Sequence, residues 1–126
     1  MFDLPVDTHS QALIKSFFES GRPVSAVCHA PAVYVDVKLS DGEYLVKGRS
    51  LTVFTNAEEE QAGLTKAVPW LAETRLAERG AKVEKAEPWQ PKVVVDKDDK
   101  GRILISGQNP ASAAPLAKAL LKELGH

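Results

Sequence analysis

The stretch VSAVCHAPAV, residues 24–33, places the only cysteine of the chain, Cys28, directly before His29. A thiol beside an imidazole is the pair from which cysteine nucleophiles are built, because the thiolate is the reacting species and a nearby base can take its proton. In regular backbone, adjacent side chains point apart, so pairing these two requires an unusual local conformation. The flanking residues suit one. Ala26 and Ala30 are small and lie two positions to either side, as a strained strand-to-helix turn that projects a nucleophile from a sheet requires. Such a turn aims the His29 N–H at a substrate oxygen. A helix start and an imidazole beside the sulfur also predict a Cys28 more acidic than a free thiol. A lone cysteine is more often a small buried hydrophobe, and the pattern by itself leaves both readings open.

Other chemistries find little support. One cysteine forms no internal disulfide, and His9, His29 and His126 are too scattered in sequence to suggest a metal set. None of the eight glycines belongs to a GxGxxG or GxxxxGK[ST] phosphate loop. The net charge of -1, from 16 basic and 17 acidic residues, gives no electrostatic reason for a nucleic-acid or membrane partner. The first residues, MFDLPVDTHS, lack the basic and apolar regions of a secretion signal, and no apolar run approaches the ~20 residues of a membrane span. These features point to the cytoplasm, and 126 residues with 44% hydrophobic side chains to one domain, 1–126.

The elements that must position the thiol follow from periodicity and turn residues. DTHSQALIKSFFES predicts a helix over 7–20, capped by Asp7 or Thr8, with Leu13, Phe17 and Phe18 on its apolar face and Gly21 as its stop. VSAVC then reads as a strand covered on both faces in a parallel sheet, and a short helix begins near Pro31. EYLV and SLTVF, separated by Lys47-Gly48-Arg49, predict a hairpin. In TNAEEE, Thr55 and Glu58 have the spacing of a capping box; Pro69 should end or kink the helix it opens, and a second helix runs through LAETRLAER to Gly80. AKVEKA is a weak strand candidate, and KVVVDKDDKGRILIS gives two strands around a charged turn. Asn109 caps a last helix whose apolar face carries Leu116, Leu120, Leu121 and Leu124, although it could instead lie near a strand end where such folds place ligands. His9 is exposed or capping, and Trp70 and Trp89 are packing anchors. The sum is an α/β layered fold.

Four separated motifs, AVCHAPA, YLVKGRSLTVFTN, EEEQAGLTKAVPWLAETRLAERGA and ILISGQNPASAAPLAKAL, resemble in order the PfpI superfamily, also called class I glutamine amidotransferase-like. Within it the chain is similar to the glyoxalase III and heat-shock chaperone branch, related to protein deglycase. The resemblance implies a flavodoxin-like sandwich with Cys28 as nucleophile, His29 as its partner, and an acid at the start of the helix after FTN that orients the histidine. By position after Phe54 that acid is Glu59, with Glu58 and Glu60 as alternatives; the other glutamates would form a solvated first turn stabilised by the helix dipole. Two departures stand out. Ala30 replaces the usual glycine, and the glycine-rich loop and earlier strands of the family, with a glutamate that bonds the cysteine, have no counterpart before Met1.

The implied activity is a cofactor-free, metal-free glyoxalase or deglycase reaction on methylglyoxal and similar small dicarbonyls, slow in a domain truncated at its N-terminus. The alternatives are a stress chaperone or redox-sensing binding protein, and an inactive fragment of such an enzyme. With the family's earlier strands absent, the VSAVC strand would have an open edge, which predicts a homo-oligomer or a complementing N-terminal half.

Overall fold

The computed structural model describes residues 1–125. Asp7 accepts a hydrogen bond from the His9 N–H at 2.8 Å and opens α1, Thr8–Glu19. Gly21 ends it in the left-handed conformation, at φ 79°, which brings Arg22 N–H to Phe17 O and Gly21 N–H to Phe18 O, both at 3.1 Å. The chain then enters β1, Val24–Val27, followed by a 3-10 turn at Ala30–Tyr34. Next come β2, Ser50–Leu51, α2, Asn56–Gln61, α3, Ala72–Glu78, and β3, Lys82–Val83. The hairpin of β4, Val93–Lys97, and β5, Ile103–Gly107, leads through a 3-10 turn at Pro110–Ser112 into α4, Ala113–Glu123.

The main sheet has the order β1-β5-β4. β1 runs parallel to β5, from Val24 opposite Leu104 to Val27 opposite Gly107, and β4 pairs antiparallel with β5 on its other side. β5 is the central strand, and Leu104 and Ile105 are fully buried. Side chains alternate across a strand, so these two serve opposite faces. Leu104 joins the main core with Phe18, Tyr34, Val35, Leu45, Leu51 and Leu76. Ile105 lies outside that cluster, on the face that α4 covers by packing on all three strands.

A partly buried ion-pair network braces the charged turn between β4 and β5. Arg49 reaches Asp96 at 3.1 Å and Asp98 at 2.9 Å, Arg102 also bonds Asp98, and both guanidinium groups lie over the Phe18 ring. Burial opposes ionisation of Asp98, but the Arg102 N–H and the two arginine side chains outweigh it and hold the carboxyl well below its ordinary value.

Four expectations need correction. EYLV and SLTVF do not form a hairpin: Tyr44 makes only an isolated bridge with Lys38, and β2 pairs in parallel with β3. α2 ends at Gln61 instead of running toward Pro69, because Gly63 turns left-handed at φ 72° and lets Leu64 N–H close back on Glu59 O at 3.0 Å. β1 pairs in parallel and keeps one edge free among the described residues, as expected, but it is half-buried along its length instead of covered on both faces. The apolar stripes of α1 and α4 are only partly used: Phe18 and Leu116 are buried, while Leu13, Phe17, Leu121 and Leu124 are exposed. A three-stranded sheet is a narrow bed for either helix. Leu13, Ile14, Phe17, Pro23 and Val24 line an apolar cleft of about 240 Å³ beside β1.

The end of β5 is packed so closely that a side chain there would have to displace its neighbours. A Cβ on Gly107 would meet Val27 Cγ2 at 3.0 Å and both Leu116 Cδ1 and Ser112 Cβ at 3.1 Å. Gly107→Ala is therefore expected to lower stability by about 1–3 kcal/mol, the usual cost of overpacking, read as a shift in the urea midpoint without a change in slope.

Candidate active site

Cys28 directly follows β1 and has a left-handed backbone, φ 66°, a conformation in which an L side chain is strained. Neighbouring backbone fixes it there. Its N–H continues the ladder to Gly107 O at 2.9 Å, and its carbonyl accepts from Phe54 N–H at 2.8 Å. The turn gives adjacent side chains the convergence that extended backbone denies them: Cys28 Sγ lies 3.5 Å from His29 Nδ1. Ala30, two residues on, is exposed at the start of the 3-10 turn.

The far nitrogen of the imidazole, Nε2, lies 2.7 Å from Glu59 Oε2. The Glu59 side chain is 2% exposed, and its other oxygen, Oε1, is buried without a protein partner. A carboxylate at Nε2 places the ring proton there and leaves the Nδ1 lone pair facing the thiol. The His29 ring also lies on Phe54, with centroids 4.3 Å apart.

Glu59 is aimed by the first turn of α2, and that turn is a full capping box. Glu58 N–H donates to the Thr55 hydroxyl at 3.2 Å, and Thr55 N–H returns to Glu58 Oε1 at 3.0 Å. The same Oε1 accepts from the Thr55 hydroxyl and from Gln108 Nε2, while Oε2 accepts from Trp89 N–H at 2.9 Å and Asn109 Nδ2 at 2.8 Å. Burial alone would raise the Glu58 pKa. The donors from Thr55, Trp89, Asn109 and Gln108 outweigh burial and hold the carboxyl below its ordinary value of 4.5.

The glutamates thus differ from a solvated first turn: Glu58 and Glu59 are buried, and only Glu60 is exposed. Asn109 precedes the 3-10 turn before α4, but its side chain caps neither that turn nor the helix. It lies two residues beyond the end of β5, donates to Glu58 and to Gln90 O, and accepts from the Ser112 hydroxyl. The expected acidity of Cys28 is also reversed. Burial pushes the thiol above its ordinary value of 9.0; the His29 N–H beside the sulfur pulls it down, and the charges of Glu58 and Glu59 push it further up. The segment after the cysteine is a five-residue 3-10 turn, which lacks the aligned peptides that a longer α-helix would direct at the sulfur.

His9 is exposed on α1, and Trp70 packs against the core. Trp89 stands edge-on to Phe54, with centroids 5.5 Å apart, and bonds Gln61 through its indole N–H. Sequence reasoning missed Phe54 and Gln108 as neighbours of the site. Position after β2 and after β5 is the only signal that either carries. Among the described residues no group of three or more His, Cys, Asp and Glu side chains could hold a metal ion, and no helix is long and apolar enough to cross a membrane.

The parallel β1–β5 pair and the strained cysteine at its end define an α/β protein of flavodoxin-like type with a thiol at a strand-to-turn elbow. The chain belongs to the DJ-1/PfpI family, which it matches over residues 3–123. It is 35% identical to Glyoxalase 3 of Candida albicans over 127 residues, 96% of this chain and 52% of the relative. It is 34% identical to a glutathione-independent glyoxalase of Saccharomyces cerevisiae, over 90% of this chain and 48% of that protein. The crystal structure of glyoxalase III from Candida albicans superposes with a TM-score of 0.84 at 33% identity, covering 97% of this chain and 52% of the other. That of the Rapid Encystment Protein 24 kDa of Francisella tularensis gives 0.88 at 33% identity, covering 98% and 52%. The chain spans about half the length of the curated relatives it matches.

The site generates two predictions. Iodoacetamide should alkylate Cys28 with a rate that rises through a midpoint above 9.0; a midpoint below that value would show that burial does not govern this thiol. For Glu58 the folded pKa is depressed, so its contribution to stability is complete above the ordinary value of 4.5 and is lost as pH falls through the folded pKa. Glu58→Gln places an amide donor among donors and should cost about 1–3 kcal/mol at pH 7. It should also flatten the acid limb of stability, and urea melts between pH 3 and pH 7 measure both effects.

Proposed function

We propose that this chain carries the thiol of a cofactor-free glyoxalase reaction on methylglyoxal or a similar small dicarbonyl, with Cys28 as nucleophile and His29 as proton carrier. The observation that carries this reading is the continuous line from Sγ to Nδ1 at 3.5 Å and from Nε2 to a buried carboxylate at 2.7 Å, set on a strained turn. The names of the glyoxalase relatives support the substrate class.

In the proposed reaction Sγ bonds to the aldehyde carbon while Nδ1 takes the thiol proton, and that proton passes to the aldehyde oxygen to give a hemithioacetal. A base then removes the hydrogen from the same carbon as the ketone oxygen gains a proton, giving an enediol; the neighbouring carbon is next protonated while the first carbon's hydroxyl gives up its proton. The product is a thioester. Water cleaves it, releasing the 2-hydroxy acid and restoring the thiol, so one molecule of water is the only other reactant. Glu59 holds the imidazole in the tautomer that can accept at Nδ1, and the His29 N–H is the donor placed to meet the developing oxyanion. A thiol held protonated by burial suits this coupled transfer, in which the proton leaves as the carbon–sulfur bond forms.

Purified residues 1–126 are expected to form lactate from methylglyoxal slowly. Cys28→Ser should abolish turnover, and His29→Ala should lower kcat by about 10²–10⁴-fold, or to background where that lies higher. Lactate formation that survives Cys28→Ser would overturn the assignment. A wild-type chain without turnover that suppresses aggregation of a client protein would favour the chaperone reading.

A further inference from the structure

Among the described residues, only two that are not glycine hold a left-handed backbone, Cys28 and Trp89, each at φ 66°. Residues in that region persist where their surroundings over-determine them, and they concentrate at functional sites. The proposed chemistry accounts for Cys28. It gives Trp89 no task, yet Trp89 is held as firmly: its backbone N–H donates to Glu58 Oε2 at 2.9 Å, and its indole N–H to Gln61 Oε1 at 2.7 Å.

Burial does not explain this investment, since Trp89 remains 42% exposed. What the indole does touch is informative. Its contact with Phe54 is edge-to-face, at 5.5 Å and 70°, and Phe54 in turn lies over the His29 ring at 4.3 Å and 34°. Two strained residues therefore stand at opposite ends of one line of contacts, Cys28 to His29 to Phe54 to Trp89. Phe54 is itself tied to the elbow, because its N–H donates to Cys28 O.

We propose that Trp89 is a positioning residue for His29. It wedges Phe54 against one face of the imidazole, so that the ring keeps Nδ1 toward the thiol and Nε2 toward Glu59. The His29 side chain is 28% exposed and would otherwise have open space to rotate into. Glu58 connects the two ends, holding the Trp89 backbone with one carboxylate oxygen while its capping box aims Glu59 at the same imidazole. This inference rests on the reading of His29 as proton carrier, but its test does not require glyoxalase turnover.

Trp89→Gly is the informative variant, since glycine accepts the left-handed backbone and keeps the N–H to Glu58 while removing the indole. Trp89→Phe keeps an aromatic edge against Phe54. Two readouts apply: the ring nitrogen shifts of His29 in NMR, assigned against His29→Ala, and the rate of Cys28 alkylation at pH 7. In the wild type the shifts should report a single tautomer protonated at Nε2. Trp89→Gly is expected to give averaged shifts and alkylation about tenfold slower, a fraction of the 10²–10⁴ that a positioned base contributes. Trp89→Phe should restore both toward wild type. An unchanged His29 tautomer together with an unchanged alkylation rate in a folded Trp89→Gly protein would overturn the proposal. If that variant does not fold, Phe54→Leu breaks the same line of contacts and is judged by the same two readouts. A wild-type protein inert toward methylglyoxal whose His29 signals still respond to Trp89→Gly would sink the proposed function and leave this inference standing.

Discussion

The buried carboxylate of Glu58 is the constraint on which the site depends. An ionised group without solvent is tolerable only when fully bonded, and Glu58 accepts five hydrogen bonds, from the Thr55 N–H and hydroxyl, Gln108, Trp89 and Asn109. Those donors come from the loop before α2, the end of β5 and the segment leading to β4. One anion therefore fastens together three stretches of chain that share no strand pairing at that point. Its neighbour Glu59 inherits the result, because a helical step of about 100° turns the next side chain toward a different partner. That partner is His29.

The same economy holds at the cysteine. A left-handed residue of this kind costs about 1–3 kcal/mol and persists only if the backbone around it is pinned. Cys28 is pinned on both sides, by the Gly107 carbonyl at the end of β5 and by the Phe54 N–H beyond β2. Phe54 then covers the His29 ring and precedes Thr55, which begins the capping box. The strained turn, the imidazole and its carboxylate are thus held by consecutive residues of one short segment. Displacing residues 54–59 would disturb all three together.

Much of this was legible in the chain. The cap at Asp7, the stop at Gly21, the capping box at Thr55 and the β4–β5 pair rest on local chemistry, and local chemistry is what a sequence displays. The elbow was legible from small residues around Cys28. The failures are non-local. Nothing near residues 44–54 says that Ser50 and Leu51 prefer Lys82 and Val83 to a hairpin partner. Nor does a run of three glutamates reveal that two of them are buried, since Glu58 meets Gln108, Asn109 and Trp89, and Glu59 meets His29, all distant in sequence. The left-handed Trp89 left no trace at all, because a tryptophan in that conformation is chosen by its contacts and not by its propensity.

The acidity of the thiol shows how a correct local pattern can still yield the wrong sign. A cysteine ahead of a helix and beside a histidine is the usual recipe for a stabilised thiolate, and Cys28 has both neighbours in name. Yet the helix is a 3-10 turn of five residues, the site is partly closed to water, and two buried glutamates direct negative charge at the sulfur. The carboxylates that organise the histidine therefore oppose free thiolate. Under the proposed chemistry this is a consistent arrangement: the thiol keeps its proton until an electrophile arrives, and the proton then moves to an imidazole already turned to receive it.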